Sequence, residues 1–189
     1  RFGLEIINYT STKFSKILKP LQYLIIASGY ALMGIMTYML IQFSYIYIKS
    51  PDIARAIKVP VIMPLIPYLP ELFKIDFLPP FYFTYWIIII AIIAIPHEFA
   101  HGIIARLNKI KVHSTGFGFL GPFLAAFVEP DEKQTEKSSK FAQLSVLSAG
   151  TFANILTVVF FGLILWGFFA FTFSPAGVSF NAYSSDILN

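Results

Sequence analysis

Two long stretches of this chain carry no acidic, basic or histidine side chain, and a third carries only three. Leu21 to Ile48 and Phe141 to Phe173 contain no Asp, Glu, Lys, Arg or His. Phe81 to Ala105 contains His97, Glu98 and His101 and is otherwise apolar or weakly polar. About 20 apolar residues cross the ~30 Å hydrocarbon layer of a bilayer as a helix. The three stretches therefore predict membrane-spanning helices over about 21–48, 81–105 and 141–173. Tyr38, Tyr45 and Tyr47 gather toward the end of the first, where amphipathic rings suit a membrane interface.

The segments between the runs differ in kind. Residues 1–20 are mixed, and the polar run from Asn8 to Ser15 predicts a surface lead-in, with Phe2, Leu4, Ile6 and Ile7 lying on the membrane. Residues 49–80 hold seven of the twelve prolines. Their spacing between Val59 and Leu69 forbids a regular helix although the stretch is apolar. Irregular backbone cannot face lipid unless protein or water satisfies it, so this stretch is expected to be a re-entrant or interfacial loop. Gly116-Phe-Gly-Phe-Leu-Gly121-Pro122, followed by Phe123 to Val128, is too short and too broken for a span. It reads as a hairpin or a re-entrant loop. Glu129 to Lys140 is strongly polar and belongs in water, with Ser138 or Ser139 placed to cap the next helix. That helix begins with Ser145, Ala149 and Ala153 at every fourth position, a small-residue face for close packing.

Composition agrees with the membrane reading. Of the 189 residues 57% are hydrophobic and 13% charged, and the mean hydropathy is +0.71. One soluble core of this size could not hide that much apolar surface. The formal charge of +4 is small and spread over the loops. It carries topology information and gives no sign of nucleic-acid binding. No cysteine is present, which removes disulfides and thiolate metal sites.

The chemistry concentrates in Pro96-His97-Glu98-Phe99-Ala100-His101-Gly102. On a helix, His97 and His101 share one face a turn apart. Two imidazoles at that spacing hold one zinc ion, and the Glu after the first acts as general base on a water. Two His and a Glu are costly in hydrocarbon without a purpose. Asn154, in the third span, marks a polar interior for the same reason.

An HExxH motif inside a membrane helix, followed by the glycine-punctuated segment and by Ala149-Gly150-Thr151-Phe152-Ala153-Asn154, resembles the site-two protease family of intramembrane zinc metalloproteases. The similarity runs from about Val59 to Leu165. It implies an all-α membrane protein, here with about three transmembrane helices, the Pro-rich loop and the Gly-rich hairpin-like segment. It also implies one zinc ion on His97 and His101, with Glu98 catalytic, and a transmembrane segment of a membrane protein as substrate. Asn154, Gly116, Gly118 and Gly121 become candidates for binding that substrate or supporting the site, the glycine-rich segment by offering a strand edge. The resemblance further implies a third ligand, an aspartate in an Asp-Gly context on a later helix. We expect it beyond residue 189, which makes residues 1–189 a single, carboxy-terminally incomplete core. Asp186 lacks the following glycine, and His113, Glu129 and Asp131 are poor substitutes.

Lys and Arg number four before the first span, four between the first and second, six between the second and third, and none after. The positive-inside rule then predicts a cytoplasmic amino end, with the motif nearer the cytoplasmic side. Other readings are a membrane HExxH peptidase that processes prenylated carboxy termini, and an inactive relative that binds or chaperones membrane proteins. Haem ligation is disfavoured, because two His four apart on one helix cannot take opposite faces of one haem.

Overall fold

The computed structural model describes residues 2–50, 82–120 and 123–173. The Pro-rich segment, Gly121 with Pro122, and the tail from 174 onward lie outside the described residues. Among the described residues the elements are helices α1 (Phe2–Lys13), α2 (Ser15–Lys49) and α3 (Phe83–Leu107), strands β1 (Val112–Leu120) and β2 (Phe123–Pro130), then helices α4 (Glu132–Lys137) and α5 (Lys140–Thr172). Three of them, α2, α3 and α5, are long and apolar enough to cross a membrane. The chain is an all-α type of integral membrane protein with one inserted hairpin.

Outside and inside are distributed as lipid requires. Met33, Tyr38 and Ile48 of α2 are exposed. The chain divides into compact units at residues 157 and 158, and the later part of α5 presents Val158, Trp166 and Phe171 outward, Phe171 being 92% exposed. In water such surfaces would drive aggregation, whereas in acyl chains they cost nothing.

The buried core lies around the carboxy-terminal half of α3. It joins Ile25 of α2, Ile104 and Ala105 of α3, Ile110, Val112 of β1, and Val146 and Ala149 of α5. The small-residue face of α5 is fully used, since Ser145, Ala149 and Ala153 are all buried. Gly29 of α2 meets Ser148 so closely that a Cβ there would come within 2.3 Å of its Oγ. Backbones approach because these side chains are absent or short. A polar cluster ties the same three helices. The Gln22 Oε1 accepts from Asn108 Nδ2 at 2.7 Å and from Ser145 Oγ at 2.9 Å. The Asn108 amide also donates to the Ile104 carbonyl at 2.9 Å. Each buried polar atom in the cluster thereby avoids the cost of going unpaired.

The lead-in departs from expectation. Residues 2–13 form a helix that tucks against α3 and β1, and Ile7 and Ser11 are buried. Gly3, Ile7 and Ser11 recur at every fourth position, and with Leu4, which packs against the core, they form the face that seats. Gly3 faces Thr115 and Phe99, and Ile7 faces Gly102. Asn8, read as solvent-facing, accepts from Arg106 Nε at 2.5 Å. The polar run misled because a helix seats through one face only, and the polar residues here fall largely on the other.

After α3 the chain turns through Lys109, whose φ is 65°. The Ile110 amide reaches back to the Ala105 carbonyl at 2.9 Å and closes the helix end, in the manner of a left-handed C-terminal cap. The hairpin that follows is longer than its glycine-rich portion suggested. β1 and β2 pair antiparallel from Val112↔Pro130 to Leu120↔Phe123, with a register irregularity between Val112 and Ser114. Asp131 caps α4, its Oδ1 accepting from the Gln134 amide at 2.9 Å. Ser139 Oγ accepts from the Ala142 amide at 3.2 Å and caps α5.

Candidate metal centre

His97 and His101 lie on α3 one turn apart, and their rings converge. The two Nε2 atoms are 3.2 Å apart, with the ring planes inclined at 68°. The His101 Nδ1 is 2.6 Å from the Val146 carbonyl oxygen of α5. A carbonyl only accepts, so Nδ1 carries the hydrogen. In the neutral ring Nε2 is then the bare nitrogen, turned toward His97. A backbone carbonyl behind a histidine is the usual partner of a metal-ligating imidazole.

The spacing fits a metal. Two ligand atoms at about 2.0–2.1 Å from a tetrahedral zinc lie about 3.3–3.4 Å apart, close to the 3.2 Å between the nitrogens. Gly150 of α5 faces this pair. A Cβ on it would stand 2.3 Å from His97 Nε2, 2.4 Å from His101 Nε2 and 2.5 Å from His97 Cε1. Only glycine leaves the space in front of both nitrogens open. The residues fit two donors of a zinc site. Among the described residues no group of three or more His, Cys, Asp and Glu side chains converges.

Glu98 is next to His97 and turns toward the hairpin. Its Oε2 accepts from the Val128 backbone amide at 3.2 Å. Asn154 lies one turn beyond Gly150 on α5, and its Oδ1 is buried without a hydrogen-bond partner. Gly116 and Gly118 are on β1 against Phe127, whose ring would come within 3.1 Å of a Cβ at Gly116. Their contacts are with the opposite strand, and it is β2 that reaches Glu98. Gly121 lies outside the described residues. His113, Glu129 and Asp131 are engaged at the base of the hairpin, His113 with Asp131 at 3.1 Å and Glu129 with Ser114 at 2.6 Å.

Three contributors were not singled out from sequence: Val128, Val146 and Gly150. The first two act through backbone atoms that every residue carries, so no side-chain pattern announces them. Gly150 did stand in the stretch Ala149-Gly150-Thr151-Phe152-Ala153-Asn154 that carries the family resemblance, but nothing there pointed to its place in front of the two imidazoles.

The family model of Peptidase family M50 matches residues 85–185, which is more than half of the chain. The chain belongs to peptidase family M50. No curated protein and no solved structure matches it. M50 peptidases are the site-2 type of intramembrane metalloprotease, so the chain is by family a peptidase embedded in the bilayer. The matched range contains all of the histidine pair, Glu98, the hairpin, Gly150 and Asn154.

Proposed function

We propose that this M50 peptidase is a zinc-dependent intramembrane endopeptidase that cuts transmembrane segments of membrane proteins. The observation that carries the reading is the pair of imidazole Nε2 atoms 3.2 Å apart in front of Gly150. His97 and His101 would hold the ion through these atoms, and zinc supplies there a Lewis acid that makes water acidic enough to attack at neutral pH. Glu98 receives the proton that water loses. As the water oxygen bonds to the peptide carbonyl carbon and the C–N bond breaks, Glu98 would return that proton to the leaving amine. The Val146 carbonyl keeps His101 in the tautomer that presents Nε2. Asn154, with an unused buried acceptor on the Gly150 side of α5, is assigned to supporting the site or to holding substrate. The glycine-bearing hairpin is assigned to the substrate as well.

A cleft of about 550 Å³ lined by Val128, Glu129, Glu132 and Glu136, among others, adjoins the strand that contacts Glu98. The Lys and Arg distribution supports a cytoplasmic amino end and a site nearer the cytoplasmic face.

The test is cleavage of a transmembrane reporter by the purified protein in vesicles. Glu98→Gln should abolish cleavage while leaving bound zinc and the thermal midpoint as in the parent protein. An unchanged rate in that variant removes Glu98 as the base.

A further inference from the structure

The geometry points to the Val128 backbone amide as the group that positions Glu98. This inference takes its catalytic meaning from the peptidase reading, but its structural half stands apart from it.

Residues along an antiparallel strand alternate, with N–H and C=O turned together toward the partner strand or together away from it. The Asp131 amide bonds back to the Lys111 carbonyl at 2.8 Å. Counting from it, Phe127 and Glu129 face β1, whereas Ala126 and Val128 turn outward. Val128 opposes Thr115 in the register, and its N–H goes to Glu98 Oε2 at 3.2 Å. The bond therefore takes nothing from the hairpin's own ladder. It binds one carboxylate oxygen and leaves the other to meet a water.

The seat of Val128 on α3 is built for this approach. Gly102, which follows His101, lies between Ile7 of α1 and Val128 of β2. A Cβ on Gly102 would come within 2.7 Å of Ile7 Cδ1 and 2.9 Å of Val128 Cγ1. The missing side chain lets β2 come close enough for its amide to reach a carboxylate one turn back on the same helix. A carboxylate on a flexible stem loses rotamer freedom when so held, and that is the entropy a general base must otherwise lose on reaching its transition state. α1, α3 and β2 thus jointly fix the direction of Glu98.

Two variants separate the amide from the side chain. Val128→Pro removes the N–H at an outward-facing edge position, where proline is tolerated. Val128→Ala keeps it. A charge-assisted hydrogen bond corresponds to about ten- to hundredfold. Val128→Pro should therefore lower kcat by that factor, with KM within about twofold and zinc content as in the parent chain. Val128→Ala should lose far less. Equal losses in the two variants would overturn the inference, as would a loss confined to KM.

Should Val128→Pro fail to fold, amide hydrogen exchange on the full chain decides. In Glu98→Ala the Val128 amide should exchange at least about tenfold faster, while the ladder-bonded Phe127 amide is unchanged. No change at Val128 overturns the proposal. This measurement needs neither zinc nor substrate, so it decides the amide contact whatever the cleavage assay returns.

Discussion

Gly150→Ala adds a single methyl group and places it between the two metal-binding candidates. The new Cβ would stand 2.3 and 2.4 Å from the two Nε2 atoms, about 1 Å inside the closest ordinary contact between carbon and nitrogen. Neither side yields easily. The His101 ring is tied to the Val146 carbonyl at 2.6 Å, and Ser145, Ala149 and Ala153 hold α5 against its neighbours in the buried interface. Relief requires moving the helices apart or rotating an imidazole, and overpacking of this kind costs about 1–3 kcal/mol. Zinc sites accept only about ±0.2 Å in ligand distance, so a displacement near 1 Å removes a ligand. We expect at least a tenfold loss of zinc affinity, the lower end of what disturbing a ligand's support produces. The assay is competition against a chelator in detergent, with thermal unfolding in parallel. Gly162→Ala is the comparison, because nothing lies within 4 Å of a Cβ there; it should leave zinc affinity unchanged. Parent-like affinity in Gly150→Ala would refute the claim that the ion occupies the space Gly150 leaves open.

Replacing Gln22 by Leu strips the shared acceptor from Asn108 and Ser145 and should lower stability by about 1–3 kcal/mol. Combined with Ser145→Ala the loss should be smaller than the two single losses together, a non-additivity that denaturation of the four proteins would reveal. Lys109 sits at φ 65°, a conformation costing a side-chain-bearing residue about 1 kcal/mol, so Lys109→Gly should raise the thermal midpoint. The Asp131 carboxyl is held below its ordinary pKa chiefly by the Gln134 amide, with His113 adding to the effect. A depressed folded value means its stabilisation is present above the unfolded carboxylate pKa of about 4 and is lost as pH falls through the folded one. Protection of the Gln134 amide, taken relative to its intrinsic exchange rate at each pH, should accordingly fall in acid, and in Asp131→Asn that pH dependence should be lost.

The long-range logic of this fold was readable because lipid imposes a crude rule. Apolar runs of spanning length become helices, and the three helices found over Ser15–Lys49, Phe83–Leu107 and Lys140–Thr172 reflect it. The HExxH spacing likewise sufficed to bring the His97 and His101 rings to one face, since helix geometry alone does that. α1 was not legible because its packing face is a few positions amid polar ones, and its partner Gly102 is distant in sequence. The hairpin was visible as a break in hydrophobicity, but its full length was not, because the pairing extends from the glycines into Val112, Ser114 and Glu129, which read as a polar connection. What holds the site in place was the least legible part. The Val146 carbonyl fixes a tautomer and the Val128 amide fixes a carboxylate, and neither depends on what side chain stands there.

The most direct measurement is the zinc content of the purified chain beside that of His97→Ala and His101→Ala, with Glu98→Gln as the folded reference. One ion per chain is expected in the parent protein and in Glu98→Gln, and none in either histidine variant. Equal zinc in the parent and the histidine variants would mean that the converging imidazoles do not hold the metal, and the proposed chemistry would fail with them.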